Sequence, residues 1–197
     1  MSSTGPSTPA IALPMSNNTP KVLSPENARI YLGVDPGVGG AIAKLKAYSY
    51  GPHKIYTMPL KDRTERDIWN KLVRINSNSP PDFALIEKVQ GYIGGEGHPG
   101  TAMFKFGMSY GGLRMALIAS SIPFEEVTPQ KWQKGLGIVT RKKSESKVDF
   151  KRRLKARAEQ LFPSVRVTLV IADALLIAEY CRRLRTVGDD RGVDHGN

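Results

Sequence analysis

The sequence predicts an α/β fold, one domain built on a mixed five-stranded sheet flanked by helices. Three observations carry that expectation. The chain has 197 residues with 40% hydrophobic side chains, enough for one sizeable core. Three short strand-like runs follow one another early on, separated by glycine-bearing turns. After them, helical and strand-like periods alternate, as in a sheet with crossover connections.

Residues 30–35, 41–47 and 54–58 read as successive strands, with "GVGG" supplying the first turn and "YGPHK" the second, so an antiparallel meander opens the domain. "TERDIWNKLVRI" starts at a capping Thr64 and sets Ile68, Leu72 and Ile75 at helical spacing before "NSNSPPD" ends it. "FALIEKV" is a buried strand ending at Glu87. From Thr101, a helix repeats Phe104, Met108, Gly111, Met115 and Ile118 on one apolar face. "IPFEEVTP" is a short strand. A long charged helix covers about 144–162, with Phe150, Leu154, Ala158 and Leu161 inward, and "IADALLIAEYCRRLR" is the last helix. This order suits a ribonuclease H-like fold. Residues 1–28, rich in Ser, Thr, Pro and Asn, read as a flexible tail, 29–186 as the folded domain and 187–197 as a flexible C-terminal tail.

The formal net charge of +11 points to a polyanionic partner, nucleic acid before an anionic membrane surface. No apolar stretch reaches the roughly 18 residues of a membrane span, and no signal-peptide pattern opens the chain. One cysteine, Cys181, excludes a disulfide framework and a cysteine-rich zinc site within the chain. A cytoplasmic setting is expected, with organellar import of the tail-bearing form left open.

Three carboxylates stand where chemistry is usually found. Asp35 ends the first strand and Glu87 the fourth; if those strands are parallel neighbours, their carboxyl ends meet where α/β sheets hold ligands. Asp173 opens the last helix and could point to the same place. Each has an ordinary explanation, respectively a Pro-Gly turn, a solvated strand end and a helix-dipole partner. Together in a partly buried site they would repel one another unless cations neutralised them. Mg²⁺ suits such oxygen ligands, with Mn²⁺ as its substitute, and two ions per site can serve both sides of a phosphodiester.

The ordered set "GVDPG", "ALIEKVQ", "FKFGMSYGGLRMAL", "IPFEEVTPQKWQK", "LFP" and "ADALLIAEY", spanning about 31–185, resembles the RuvC-type Holliday junction resolvases. Within that family it is similar to the short phage and bacterial branch and to the plant chloroplast resolvase. The resemblance implies a homodimeric, Mg²⁺-dependent endonuclease that nicks four-way DNA junctions symmetrically, in a bacterial or phage-infected cell. It places catalytic and metal-binding roles on Asp35, Glu87 and Asp173, with Lys151 as the assisting lysine and Lys147 next in line. Two departures stand out. The family's fourth metal ligand, three or four residues before the last aspartate, is replaced by Val170 or Leu169, and Glu179 lies on the wrong side of the helix to substitute. The aromatic wedge after the glutamate is replaced by Gln90, with Tyr92 two residues on.

Lys143, Lys147, Lys151 and Lys155 recur every four residues and, with Lys142 and Arg152, form the expected DNA-phosphate surface. Tyr92 is the expected junction contact. "GGEGHPG", with His98, could fit a distorted backbone or be an ordinary loop; Trp132 and Trp69 read as packing residues. No helix-turn-helix or zinc-finger spacing offers sequence readout. The Phe104–Met115 face is the preferred dimer interface, with core burial its rival. Neither a membrane nor a nucleotide cofactor is expected. A sugar-kinase or actin-like ATPase would explain "GVDPGVGG" but needs a second nucleotide-binding half. Binding of branched DNA without cutting, and a broader branched-DNA nuclease, are the nearer alternatives.

Overall fold

A computed structural model describes residues 28–37, 39–89 and 100–189. The two tails lie outside these residues, apart from Ala28 and the start of the second. So do Gln90, Tyr92 and His98.

Five strands, β1 (Arg29–Asp35), β2 (Ala41–Ala47), β3 (Lys54–Pro59), β4 (Phe83–Glu87) and β5 (Phe124–Val127), form one sheet in the order β3-β2-β1-β4-β5. β1, β2 and β3 are antiparallel to one another in succession, whereas β4 runs parallel to both β1 and β5. The expected mixed five-stranded α/β domain is therefore the observed one. Helices α1 (Glu65–Asn78), α2 (Gly100–Ala119), α3 (Pro129–Gly135), α4 (Lys147–Leu161) and α5 (Ala172–Asp189) complete it.

Strand alternation splits the core into two layers. Tyr31, Ala43, Leu45 and Leu85 face α3, α4 and α5. Leu32, Val34, Ile42, Ala84 and Ile86 face α1 and α2. Thr64 begins α1 with a reciprocal cap: its hydroxyl accepts from the Asp67 N–H while the Asp67 carboxylate accepts from the Thr64 N–H. Ile68, Leu72 and Ile75 are buried as their spacing requires.

Helix α5 is the central support of the first layer, with every residue from Ile171 to Cys181 buried. Gly33 makes this possible. A Cβ there would drive into the backbone of Ala174 and Ala178, so only glycine lets α5 lie directly on β1. The helix runs through Asp189, three residues past the expected domain boundary at 186.

Phe104, Met108, Met115 and Ile118 are exposed, which removes core burial, the rival to the preferred interface reading of that face; α2 buries the opposite side through Leu113 and Leu117. Two expectations need correction. The charged helix starts at Lys147, not near Ser144, because Ser146 caps it by accepting from the Asp149 N–H. Lys143 therefore precedes the helix, and the four-lysine stripe has three helical members. Finally, "PQKWQK" forms α3, an additional helix, capped by Thr128 with Pro129 in its first turn.

Candidate active site

Asp35 and Glu87 occupy the carboxyl ends of adjacent parallel strands, each one residue beyond the Val34–Ile86 pair in register. Both side chains point to the α5 layer, since they share the strand face of Gly33 and Leu85. The "DPGVGG" segment then reverses the chain: the Gly40 N–H donates to Gly37 O at 2.7 Å, and a Cβ on Gly40 would collide with the Asp35 carbonyl. The same turn sends the Gly37 N–H to Asp35 Oδ1 at 3.3 Å. Asp173, 5% exposed, stands in the first turn of α5 and is delivered to this edge by the close α5–β1 contact.

Asp35 and Glu87 respond to burial and to the charges around them. Burial raises the Asp35 carboxyl above its usual range, and Asp173 adds to the effect against the opposing pull of Lys151 and the Gly37 N–H. Glu87 is pushed up to about 7, first by burial and then by Asp35, with Asp173 contributing less. The positive charge comes from Lys151 on α4, whose Nζ donates to Asp173 Oδ2. Burial works to lower the Lys151 ammonium, but Asp173, Asp35 and Glu87 together hold it above its usual value.

Trp132 belongs to the site as well as to the core. Its indole Nε1–H donates to Glu87 Oε2 at 2.8 Å from a fully buried ring on α3. Sequence reasoning assigned Trp132 to packing alone; the Thr128 cap followed by Pro129 was the available sign of the helix that aims it.

A hard cation fits this donor set. The carboxylates offer oxygen donors only, and Asp173 Oδ1 is buried without a hydrogen-bond partner among the described residues. As the side chains stand, no group of three or more His, Cys, Asp or Glu among the described residues is placed to hold a metal ion. Lys151 holds Asp173 instead. The turn before α5 adds no acid at the two positions in question, where the apolar Leu169 and Val170 stand exposed. Glu179 is committed elsewhere, with Arg182 and Arg183 gripping it at 2.7–2.8 Å.

The expected DNA-binding residues divide. Lys142, Lys143 and Lys147 are exposed and take no part in the ion pairs among the described residues. Arg152 pairs with Asp149 at 3.0 Å and Lys155 with Glu159 at 2.7 Å. Exposed pairs of this kind contribute about 0–1 kcal/mol and are readily exchanged for phosphate.

The mixed sheet and its helices have the arrangement of the RuvC fold. The chain superposes on the Thermus thermophilus RuvC structure with a TM-score of 0.55 at 14% identity, covering 81% of this chain and 96% of that one. Against T. thermophilus RuvC in complex with Holliday junction substrate the TM-score is 0.54 at 14% identity, covering 81% and 97%. The yeast mitochondrial Holliday junction resolvase Ydc2 gives 0.44 at 16% identity, covering 83% and 81%. No protein-family model and no curated protein sequence matches the chain.

Proposed function

We propose that the protein is a divalent-metal-dependent endodeoxyribonuclease that resolves four-way DNA junctions by paired symmetric nicks. One observation carries the reading: Asp35, Glu87 and Asp173, drawn from β1, β4 and the start of α5, converge around Lys151 at the carboxyl edge of a RuvC-like sheet. The T. thermophilus RuvC bound to a Holliday junction supports the choice of substrate.

In this reading the three carboxylates hold Mg²⁺ or Mn²⁺, two ions per site. When bound, the ions supply Lewis acidity for the attacking water and the leaving oxygen of the phosphodiester. Trp132 fixes one oxygen of Glu87 and leaves the other for ligation. Lys151, balanced against Asp173 in the resting protein, becomes available to the substrate phosphate once the acids are neutralised. Lys142, Lys143, Lys147, Arg152 and Lys155 hold the DNA arms through phosphates, which carry no base information, so branched shape is recognised before sequence. The exposed α2 face is the homodimer interface that sets two such sites in opposition.

A second reading, junction binding with little or no cutting, is favoured by the lack of an acid at Leu169 and Val170. End-labelled four-way junction and linear duplex, incubated with Mg²⁺ or chelator beside Asp35→Asn, separate the two. Paired Mg²⁺-dependent nicks in the junction alone, lost in Asp35→Asn, establish the resolvase. Tight junction binding without cuts rejects it for the binding protein.

A further inference from the structure

A second concavity lies on the other face of the sheet, away from the carboxylates. Lys44 and Lys46 share the face of Ile42 on β2, and the register sets Lys44 opposite Tyr56 and Lys46 opposite Lys54. Helix α1 closes the hollow with Lys71 and Arg74. The resulting cavity, about 310 Å³, has five basic side chains and, among the described residues, no aspartate or glutamate on its wall.

Such an arrangement costs stability in three ways. Lys46 and Lys54 oppose like charges across a strand pair. Lys71 and Arg74 do the same one turn apart on a helix. Lys44 is only 9% exposed, and burial together with Lys46 and Lys71 lowers its ammonium. Its ammonium lies 6.0 Å from the centre of the Tyr56 ring. None of the five belongs to an ion pair among the described residues. A buried lysine with no ion pair among the described residues, set among like charges, calls for an anion that those residues do not provide.

The anion is extended. A neighbouring cavity of about 340 Å³ shares Thr57, Met58, Lys71 and Arg74 with the first and adds Arg63. Its one acid, Asp67, is tied into the cap of α1 by Thr64. Two joined basic hollows match a string of phosphates better than one small ion. We propose that they form a phosphate track that holds a nucleic-acid backbone away from the point of cutting. The track rests on the nucleic-acid part of the proposed function and is independent of cleavage.

The test is the salt dependence of binding in chelator, for a labelled four-way junction and a linear duplex, with Lys71→Ala/Arg74→Ala. Both residues are exposed on α1, so the fold is not strained. The log–log salt slope falls by about 2 for the alanine pair, and the swap Lys71→Arg/Arg74→Lys restores it. An unchanged slope overturns the track. If the alanine pair keeps the slope but loses thermal protection by inorganic phosphate, the hollow is a small-anion pocket and the nucleic-acid assignment falls. A wild-type protein that cuts nothing with Mg²⁺ while the alanine pair still lowers the slope defeats the nuclease reading and leaves the track standing.

Discussion

Glu87 shows how one side chain links stability to chemistry. Its folded pKa of about 7 lies above the ordinary value of 4.5, so ionising it in the folded, metal-free protein is unfavourable. Its contribution is therefore neutral below about pH 4.5, grows more destabilising as pH rises towards 7, and reaches at most about 3 kcal/mol above that. Glu87→Gln should raise the melting temperature of the chelated protein at pH 8 and leave it nearly unchanged at pH 4.5. A divalent cation should protect wild type at pH 8 more than the variant, and equal protection would remove Glu87 from the ligand set. Trp132→Phe keeps the ring but deletes the donor to Glu87 Oε2, at a cost of about 1–3 kcal/mol. Because that donor lowers the Glu87 pKa, its loss should move the pH midpoint of metal protection upward. A variant that loses stability with no midpoint shift would make Trp132 a packing residue only.

The elements meet at the site because β1 tolerates the backbone of α5 against it. Gly33→Ala forces its methyl into Ala174 and Ala178, and overpacking of this kind costs about 1–3 kcal/mol or more. Thermal unfolding should show that loss, and cation protection should weaken further than the stability change accounts for, since Asp173 rides on the displaced helix. The strands, the capped α1 and the ends that carry Asp35 and Glu87 were legible from alternation, turn residues and capping chemistry, which are local rules. Less legible was whatever depends on tertiary choice. The α2 stripe had a clear period, yet period alone left an interface and core burial both open until the packing of Leu113 and Leu117 turned the stripe outward. Helix α3 is seven residues long, too short to display a period, and with it went the aim of Trp132. Lys151 was singled out by resemblance, whereas its helical neighbours Lys147 and Lys155 have the same local pattern; only the packing of α4 on α5 turns it towards Asp173.

At the scale of the whole molecule, the proposed reaction on two strands needs two copies of the single site, and the exposed side of α2 is the surface proposed to join them. Phe104, Met108, Met115 and Ile118 are each more than half exposed, and their spacing of four, seven and three residues aligns them along one side of the helix. Isolated exposed hydrophobes are ordinary, but an aligned stripe of four large ones is not. Its methionines can adapt to a second copy, and Gly111, with open space where a Cβ would stand, permits close approach at its centre. Met108→Glu/Met115→Glu changes only this surface, so the monomer's folding should survive while burial of the stripe between copies becomes costly. Sedimentation equilibrium should find a dimer for wild type and a monomer for the variant. On a supercoiled plasmid carrying a cruciform, wild type should make the two nicks within one binding event and release linear DNA, whereas the variant should accumulate singly nicked circles. A wild-type monomer, or a variant that still dimerises and linearises the plasmid, would take the dimer off the α2 face and require the two cuts to be coupled some other way.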